Sequence, residues 1–277
     1  MQPVTNAAVT LHAEALFREA PSTTDSQDPV LLLSEAEAPS SRWPGELLVG
    51  IAQRSPGAIW FDTRDCGRSS WATEPYSLSD LVDDAVAVLD SFDVERAHVF
   101  GRSMGGQVAQ RLAVAHPDRV SALTLLSTTP GQPERFGLPA QWLIDKMSER
   151  LFADAPADTE GRAAWITEQQ EWFSGPVFGF DREALLAAYR EEVDTMWRGP
   201  NLHGHAVVEA SETIADLGSI RAPTLILHGT ADPVHPIEHG RALAELIAGA
   251  RLNLVEGLGH ELPPTFVPEL LRLMFAT

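Results

Sequence analysis

The chain has 277 residues, of which 44% are hydrophobic, and this is enough for one large α/β domain or for a core with an inserted subdomain. The net charge of −19 disfavours nucleic acids and anionic membranes as partners. Neither a membrane-spanning apolar run nor a signal peptide is visible, and Cys66 is the only cysteine. We therefore expect a cytoplasmic protein without an internal disulfide.

Strands and helices alternate along the first half of the chain. Ser77 and Asp80 fit a capping box, and the apolar residues after them recur at helical spacing, which predicts a helix. This alternation indicates a doubly wound, mostly parallel sheet that is covered by helices on both faces. The predicted elements are, in chain order, strand 9–17, strand 30–33, helix 46–52, strand 58–62, helix 81–92, strand 96–100 and strand 123–126.

A short apolar strand leads directly into a Gly-x-Ser-x-Gly motif, formed by Gly101, Ser103 and Gly105. A serine in a tight strand-to-helix turn leaves no room for side chains two residues before and after it, so glycine is needed at both places. A helix is predicted from Met104 until Pro117 stops it. Such a turn exposes the serine hydroxyl, and the Met104 amide at the helix N-terminus points to where an oxyanion would form.

The strand–helix rhythm breaks between about residues 130 and 206. This stretch is rich in aromatic residues, and its apolar residues mostly have helical spacing. We interpret residues 131–205 as a helical cap that is inserted into a core of residues 1–130 and 206–277. A cap over a serine must exclude water and hold a substrate, so some of its side chains should line an apolar pocket. The candidates for contacts with substrate in this segment are Trp142, Trp172, Trp197 and His203.

Two candidate catalytic residues follow strands of the second half of the core. Asp232 comes just after one predicted strand, and His260 lies in a glycine-rich loop after the next. A serine needs a base that takes its proton, and the base needs an orienting acid, in the chain order Ser, Asp, His for a doubly wound sheet. Ser103, His260 and Asp232 are therefore predicted as nucleophile, base and orienting acid. The predicted elements of this half are strand 223–228, helix 237–248, strand 252–255 and helix 264–274.

At these residues the chain resembles a known superfamily. The segments Gly-Arg-Ser-Met-Gly-Gly, Gly-Thr-Ala-Asp-Pro-Val and Gly-Leu-Gly-His resemble the α/β-hydrolases, and the likeness covers nearly the whole chain. Residues 62–69, with 84–90 and 96–99, are similar to the polyketide methyl esterases typified by aclacinomycin methylesterase. The resemblance implies the α/β-hydrolase fold, the same Ser-His-Asp triad and a helical cap. The triad motifs are specific for fold and chemistry but nearly silent on substrate.

The loop after strand 30–33 departs from that family. Its members usually carry His-Gly or Gly-Gly here, which lets a second oxyanion amide approach the substrate, whereas this chain reads Ser-Glu-Ala-Glu-Ala. By register, Glu37 supplies the second amide beside that of Met104. Unpaired carboxylates would oppose a developing oxyanion. Three explanations stay open: the carboxylates face solvent or pair with a base such as Arg102 or Arg64, the loop takes another path, or the site does not stabilise an ordinary acyl oxyanion.

These features predict a serine hydrolase that cleaves a carboxylic ester of an apolar small molecule, a methyl ester being one candidate. Glu35 and Arg102, close to the predicted nucleophile, are further candidates for contacts with the substrate. We expect no cofactor, no metal and no nucleic-acid or membrane partner, and a homodimer is left open. One alternative uses the same triad for lactone or carbon–carbon bond hydrolysis, decarboxylation or cyclisation in antibiotic biosynthesis. The other is a binding protein without catalysis.

Overall fold

The computed structural model describes residues 2–6, 9–18, 28–196 and 216–276. Within these ranges the strands form one eight-stranded sheet in the order β1-β2-β4-β3-β5-β6-β7-β8. All neighbours from β4 to β8 pair in parallel, and only β1 and β2 add antiparallel strands at one edge. The strands are β1 (Gln2–Asn6), β2 (Val9–Phe17), β3 (Val30–Leu33), β4 (Gly57–Phe61), β5 (Ala97–Arg102), β6 (Val120–Leu126), β7 (Thr224–Gly229) and β8 (Arg251–Val255).

Helices cover both faces of the sheet, as the alternating pattern predicts. One apolar cluster joins the sheet to α2, α3 and α8, and a second joins its other face to α1 and α9. No described helix is long and apolar enough to cross a membrane. The helices are α1 (Gly45–Arg54), α2 (Leu78–Ser91), α3 (Met104–Ala115), α4 (Pro133–Phe136), α5 (Gln141–Leu151), α6 (Thr159–Phe173), α7 (Arg182–Met196), α8 (Ile237–Leu246) and α9 (Val267–Met274).

Strand β1 is the element that the sequence analysis missed. It is a five-residue edge strand that pairs with β2 alone, and only Val4 is buried. Pro3 cannot donate a backbone hydrogen bond, and Gln2, Thr5 and Asn6 are polar, so one apolar residue gives neither an alternating pattern nor a strand-like composition. The strand depends on its partner for its structure, which explains why a local pattern could not reveal it.

An ion pair connects two of the segments that carry the family resemblance. Arg64, in the loop after β4, donates two hydrogen bonds of 2.7 Å to the carboxylate of Asp84 on α2. The Asp84 side chain is fully buried, and the geometry is the bidentate one that arginine favours with carboxylates. The loop that contains Arg64 is thereby fixed to a helix of the core, so this motif serves the architecture of the fold.

The predicted helical segment between residues 131 and 205 contains α4 to α7 as far as it is described. Helices α6 and α7 pack against each other, and Arg42 of the core donates two hydrogen bonds, of 2.9 and 2.6 Å, to Glu192 on α7. Trp197 and His203 lie outside the described residues. The boundaries of the cap, 131 and 205, remain a prediction.

We expect that Ser77→Ala destabilises the fold by about 1 kcal/mol, because it removes an N-cap. The Ser77 hydroxyl accepts a hydrogen bond from the Asp80 amide, and the Asp80 carboxylate accepts one from the Ser77 amide. Ser148→Ala, at an exposed position of α5, is the matched control and should change the free energy of unfolding by less than about 0.5 kcal/mol. Chemical denaturation measures both. Equal stability of the two variants would contradict the role of the cap.

Candidate active site

Ser103 lies in a strained turn between β5 and α3. Its backbone has φ 52° and ψ −122°, a conformation that L-residues rarely adopt. A side chain on Gly101 would place its Cβ 2.4 Å from the Gly105 carbonyl oxygen, and one on Gly105 would lie 2.1 Å from the Leu33 carbonyl oxygen. Only glycine fits at either place, as the motif predicts. The turn is therefore held by backbone packed on backbone.

The backbone on both sides of Ser103 is anchored to β6 and the residues after it. The Ser103 amide donates to the Leu126 carbonyl at 3.1 Å, and the Thr128 hydroxyl donates to the Ser103 carbonyl at 2.6 Å. The next amide, of Met104, is the first of helix α3 and has no carbonyl acceptor within the helix. It is directed at the helix N-terminus, where negative charge is stabilised.

Asp232 follows β7 in a turn that holds one side of its carboxylate. Its Oδ1 accepts hydrogen bonds from the amides of Val234 and His235, both at 2.9 Å, while Oδ2 lies 2.9 Å from Nδ1 of His260. Burial alone would raise the pKa of the Asp232 carboxyl, but the charge of His260 and its hydrogen bond hold that pKa well below its usual range. The carboxylate is therefore ionised and fixed in orientation.

The structure brings all three predicted triad residues into one chain of hydrogen bonds. Nδ1 of His260 donates to Asp232, which leaves Nε2 as an acceptor that lies 3.0 Å from Oγ of Ser103. His260 is buried, whereas Ser103 is half-buried. A hydroxyl in this position can transfer its proton to Nε2 as the oxygen attacks an acceptor.

Three further histidines lie near Asp232 and His260, and the sequence analysis gave none of them a role. The ring of His235 packs edge-to-face on that of His260 at 5.3 Å and lies 5.2 Å from that of His239. Nε2 of His228 lies 2.8 Å from the His235 carbonyl oxygen. Burial lowers the pKa of all three histidines. At neutral pH they are neutral, so they add no positive charge beside Asp232.

The two glutamates of the acidic loop after β3 have different surroundings. Glu35 is buried and forms an ion pair with Arg102, with 2.9 Å between Nη2 and Oε2. Glu37 is exposed as a residue, and its backbone is left-handed with φ 59°. Of the explanations left open for these carboxylates, pairing with Arg102 is confirmed for Glu35. Exposure to solvent remains a prediction for the Glu37 carboxyl, because burial raises its pKa although the charge of Arg42 opposes the shift. The amide of Glu37 as an oxyanion donor remains a prediction.

Glu261, next to His260, is a buried acid that the sequence analysis did not single out. One of its oxygens, Oε2, has no hydrogen-bond partner among the described residues. Burial raises the pKa of its carboxyl to about 7, although the charge of Arg102 opposes the shift. The group therefore titrates close to neutral pH.

The helical segment contacts both loops that carry the predicted acid, Asp232, and the predicted base, His260. The Phe173 carbonyl at the end of α6 accepts hydrogen bonds from the amides of His260, at 2.7 Å, and Glu261, at 3.1 Å. The Phe173 ring lies edge-on to that of His260 at 5.7 Å. On the other side, the Ala140 amide donates to the Pro233 carbonyl at 2.8 Å, one residue from Asp232. The segment thus supports the triad as well as lying beside it.

The predicted aromatic contacts with substrate are only partly described. The ring of Trp172 packs against Arg150 at 4.4 Å and Lys146 at 5.0 Å, and Arg150 also stacks on Trp165 at 4.2 Å. Trp142 is 46% exposed. A role in substrate binding remains a prediction for Trp142 and Trp172. Phe173, which does touch His260, was missed because its role depends on a backbone carbonyl that any residue could offer.

Within the described ranges no group of three or more His, Cys, Asp or Glu side chains could hold a metal ion.

We expect that Gly259→Ala lowers kcat/KM for p-nitrophenyl acetate by about a hundredfold or more, because small displacements of a catalytic base are costly. A Cβ there would lie 2.2 Å from the Phe173 carbonyl oxygen and 2.6 Å from the Gly175 amide nitrogen, so the His260 loop must move. The matched control is Gly45→Ala, whose Cβ would meet nothing within 4 Å. Steady-state kinetics and thermal melts measure both variants. Wild-type activity in Gly259→Ala would refute the tight support of His260.

We expect Glu261→Gln to stabilise the protein increasingly as pH rises. A folded-state pKa of about 7 lies above the ordinary value of 4.5, so folding favours the protonated acid, and stability is lost as pH rises towards 7. Glutamine does not ionise. The free energy of unfolding of the Glu261→Gln variant, relative to that of the wild type, should therefore increase by about 2 kcal/mol between roughly pH 5.5 and 8.5. Denaturant titrations of both proteins at the two pH values test this, and a pH-independent difference would contradict it.

Comparison with known proteins shows the family of this chain. Residues 43–265 match the family described as the alpha/beta hydrolase fold. The rhodomycin D methylesterase DnrP of Streptomyces peucetius is 31% identical over 94% of this chain and 92% of its own length. The rhodomycin D methylesterase DauP of Streptomyces sp. strain C5 is 31% identical over 85% of this chain and 85% of its own.

Solved structures show the same fold. A hydrolase from Pseudomonas aeruginosa PA01 has a TM-score of 0.73 at 25% identity and covers 99% of this chain and 97% of its own. A meta-cleavage product hydrolase from Pseudomonas fluorescens IP01 also has a TM-score of 0.73, at 19% identity, with coverage of 99% and 96%. The predicted fold is thereby confirmed. From the family match and the two methylesterase relatives, the chain belongs to the α/β hydrolase fold family and is an ester-hydrolysing enzyme.

Proposed function

We propose that this chain is a serine hydrolase that cleaves a carboxylic ester of an apolar small molecule with Ser103, His260 and Asp232. The observation that supports it best is the continuous chain of hydrogen bonds, 3.0 Å from Ser103 to His260 and 2.9 Å from His260 to Asp232. A nucleophile, a base and an orienting acid in this order are what acyl transfer requires.

In the first half of the reaction, Oγ of Ser103 attacks the ester carbonyl carbon while Nε2 of His260 takes the hydroxyl proton. Asp232 stabilises the imidazolium that forms, because its ionised carboxylate accepts the hydrogen bond from Nδ1. The tetrahedral oxyanion accepts a hydrogen bond from the Met104 amide, and we propose the backbone amide of Glu37 as the second donor. Collapse of this intermediate transfers the proton from His260 to the leaving alcohol and leaves an acyl-enzyme.

In the second half, water takes the place of the alcohol. His260 removes a proton from the water as its oxygen attacks the acyl carbon, and then returns that proton to Oγ of Ser103. The products are the carboxylic acid and the free serine enzyme. For this chemistry the site needs no redox group, since ester hydrolysis changes no oxidation state.

The Arg102–Glu35 ion pair bears on the choice between ester hydrolysis and a non-standard reaction. The non-standard alternatives were motivated by the acidic loop, because free carboxylates beside an oxyanion would oppose its formation. Glu35 is neutralised by Arg102 within the ion pair, and burial raises the pKa of the Glu37 carboxyl, which favours its uncharged form. The loop is therefore compatible with an ordinary acyl oxyanion, which favours ester hydrolysis.

The substrate class is inferred from the relatives and from the helical segment. Two relatives are named rhodomycin D methylesterases, which supports a methyl ester of an apolar polyketide as substrate. We propose residues 131–205 as the cap over the site. Helix α6 of this segment ends at Phe173, whose ring lies edge-on to that of His260. An aromatic wall of this kind suits a flat apolar acyl group.

We expect Ser103→Ala to lose at least about a thousandfold in kcat for p-nitrophenyl esters while its melting temperature stays near that of the wild type. A fluorophosphonate probe should label the wild type and the surface control Ser148→Ala, but not Ser103→Ala. Mass spectrometry locates the adduct. Turnover by Ser103→Ala within tenfold of wild type, or an adduct on another residue, would overturn the proposed nucleophile.

A further inference from the structure

We propose that Arg102 is a positioning residue for the reaction. It neutralises the acidic loop after β3 and ties that loop to the His260 loop on the two sides of the nucleophile. The inference rests on the proposed function and adds to it a residue that touches none of the reacting atoms.

The contacts of Arg102 span two loops from a single nitrogen. Its Nη2 donates a hydrogen bond to the His260 carbonyl oxygen at 2.9 Å and lies 2.9 Å from Oε2 of Glu35. The side chains of Arg102 and Glu35 are 9% and 8% exposed, so water does not compete effectively for either contact. Both bonds are charge-assisted, and such bonds are shorter and stronger than neutral ones.

The place of Arg102 in the chain gives these contacts their effect. It is the last residue of β5, and Ser103 follows it directly. Glu35 belongs to the loop after β3, and the start of that loop packs on Gly105, two residues beyond Ser103. His260 is the proposed base. One side chain therefore connects the nucleophile turn, the loop with the second oxyanion donor and the loop with the base.

The charge of Arg102 is as important as its reach. Glu35 and Glu261 both face it, and burial leaves neither carboxylate well hydrated. Arg42, another cation that acts on Glu35, is already held by its two hydrogen bonds to Glu192, so without Arg102 the Glu35 carboxylate would be buried without its ion-pair partner. Breaking a buried ion pair by removing one partner is strongly unfavourable, because the remaining charge is uncompensated.

An arginine suits this position better than a lysine would. Its planar guanidinium can donate to a carbonyl and a carboxylate at the same time, in a fixed geometry, whereas an ammonium is a point charge on a flexible stem. The sequence analysis grouped Arg102 and Glu35 as candidates for contacts with substrate. The geometry pairs them with each other and binds Arg102 to the His260 carbonyl oxygen, while their contact with substrate stays a prediction.

The test compares Arg102→Gln, Arg102→Lys, Glu35→Gln and the double variant Glu35→Gln/Arg102→Gln. We expect Arg102→Gln to lower kcat for p-nitrophenyl acetate by about ten- to a hundredfold with KM changed less than about threefold, because the effect is on alignment and transition-state charge. Arg102→Lys should lose less, since it keeps the charge. The double variant should recover at least about fivefold over Arg102→Gln, because the orphaned carboxylate is gone. Arg96→Gln, which breaks an exposed ion pair, is the control.

Several outcomes would overturn the inference. These are a kcat for Arg102→Gln within twofold of wild type, a rise in KM that accounts for the whole loss, or a double variant no faster than Arg102→Gln. If Arg102→Gln alone fails to fold, a folded and active double variant supports the neutralising role, while failure of both to fold makes the role purely structural and overturns the proposal. Fluorophosphonate labelling distinguishes failure of this inference from failure of the proposed function. If Ser103 is labelled in all folded variants and Arg102→Gln is fully active, only this inference fails; if Ser103 is never labelled, the proposed function fails.

Discussion

The site depends on how closely the first turn of α3 approaches the end of β3. Gly105 lies so near the Leu33 carbonyl that not even a methyl group fits between them. This contact places the helix N-terminus, with the Met104 amide, directly beside the loop after β3. The strained backbone of Ser103 is a consequence, since a chain that turns from β5 into a helix at this distance has no relaxed path. Strand β6 and the residues after it hold this turn, through the bond that the Ser103 amide donates to the Leu126 carbonyl and the bond that the Thr128 hydroxyl donates to the Ser103 carbonyl.

Much of this arrangement could be predicted because local patterns specify it. Buried strands, the capping box at Ser77 and the glycines around Ser103 each have a steric or hydrogen-bonding requirement that a short stretch of sequence expresses. The rule that parallel strands present their carboxyl ends at one edge then places Asp232 and His260 near Ser103, and the structure brings the three within hydrogen-bond distance.

The rest depends on contacts that local sequence does not encode. The support of His260 by Phe173 runs through a carbonyl oxygen, which every residue possesses. The orientation of the Glu35 carboxylate could not be predicted, because a sequence does not say which distant residue a buried carboxylate will contact. In the structure that residue is Arg102. Strand β1 is held by its pairing with β2 and by hydrogen bonds from Gln2 to Ser91 and from Asn6 to Asp84 on α2. Trp197 and His203, chosen for their chemistry within a helical stretch, lie outside the described residues.

The bonds between Phe173 and the His260 loop have a consequence for how such enzymes diversify. The segment proposed to shape the binding pocket and the loop that carries the proposed base form one packed unit, in which Gly175 and Gly259 meet backbone to backbone. Exchange of the helical segment alone between relatives would bring foreign backbone against residues 257–261. The module that recombination or design can transfer intact is therefore larger than the insertion: it comprises the helices and the histidine loop together.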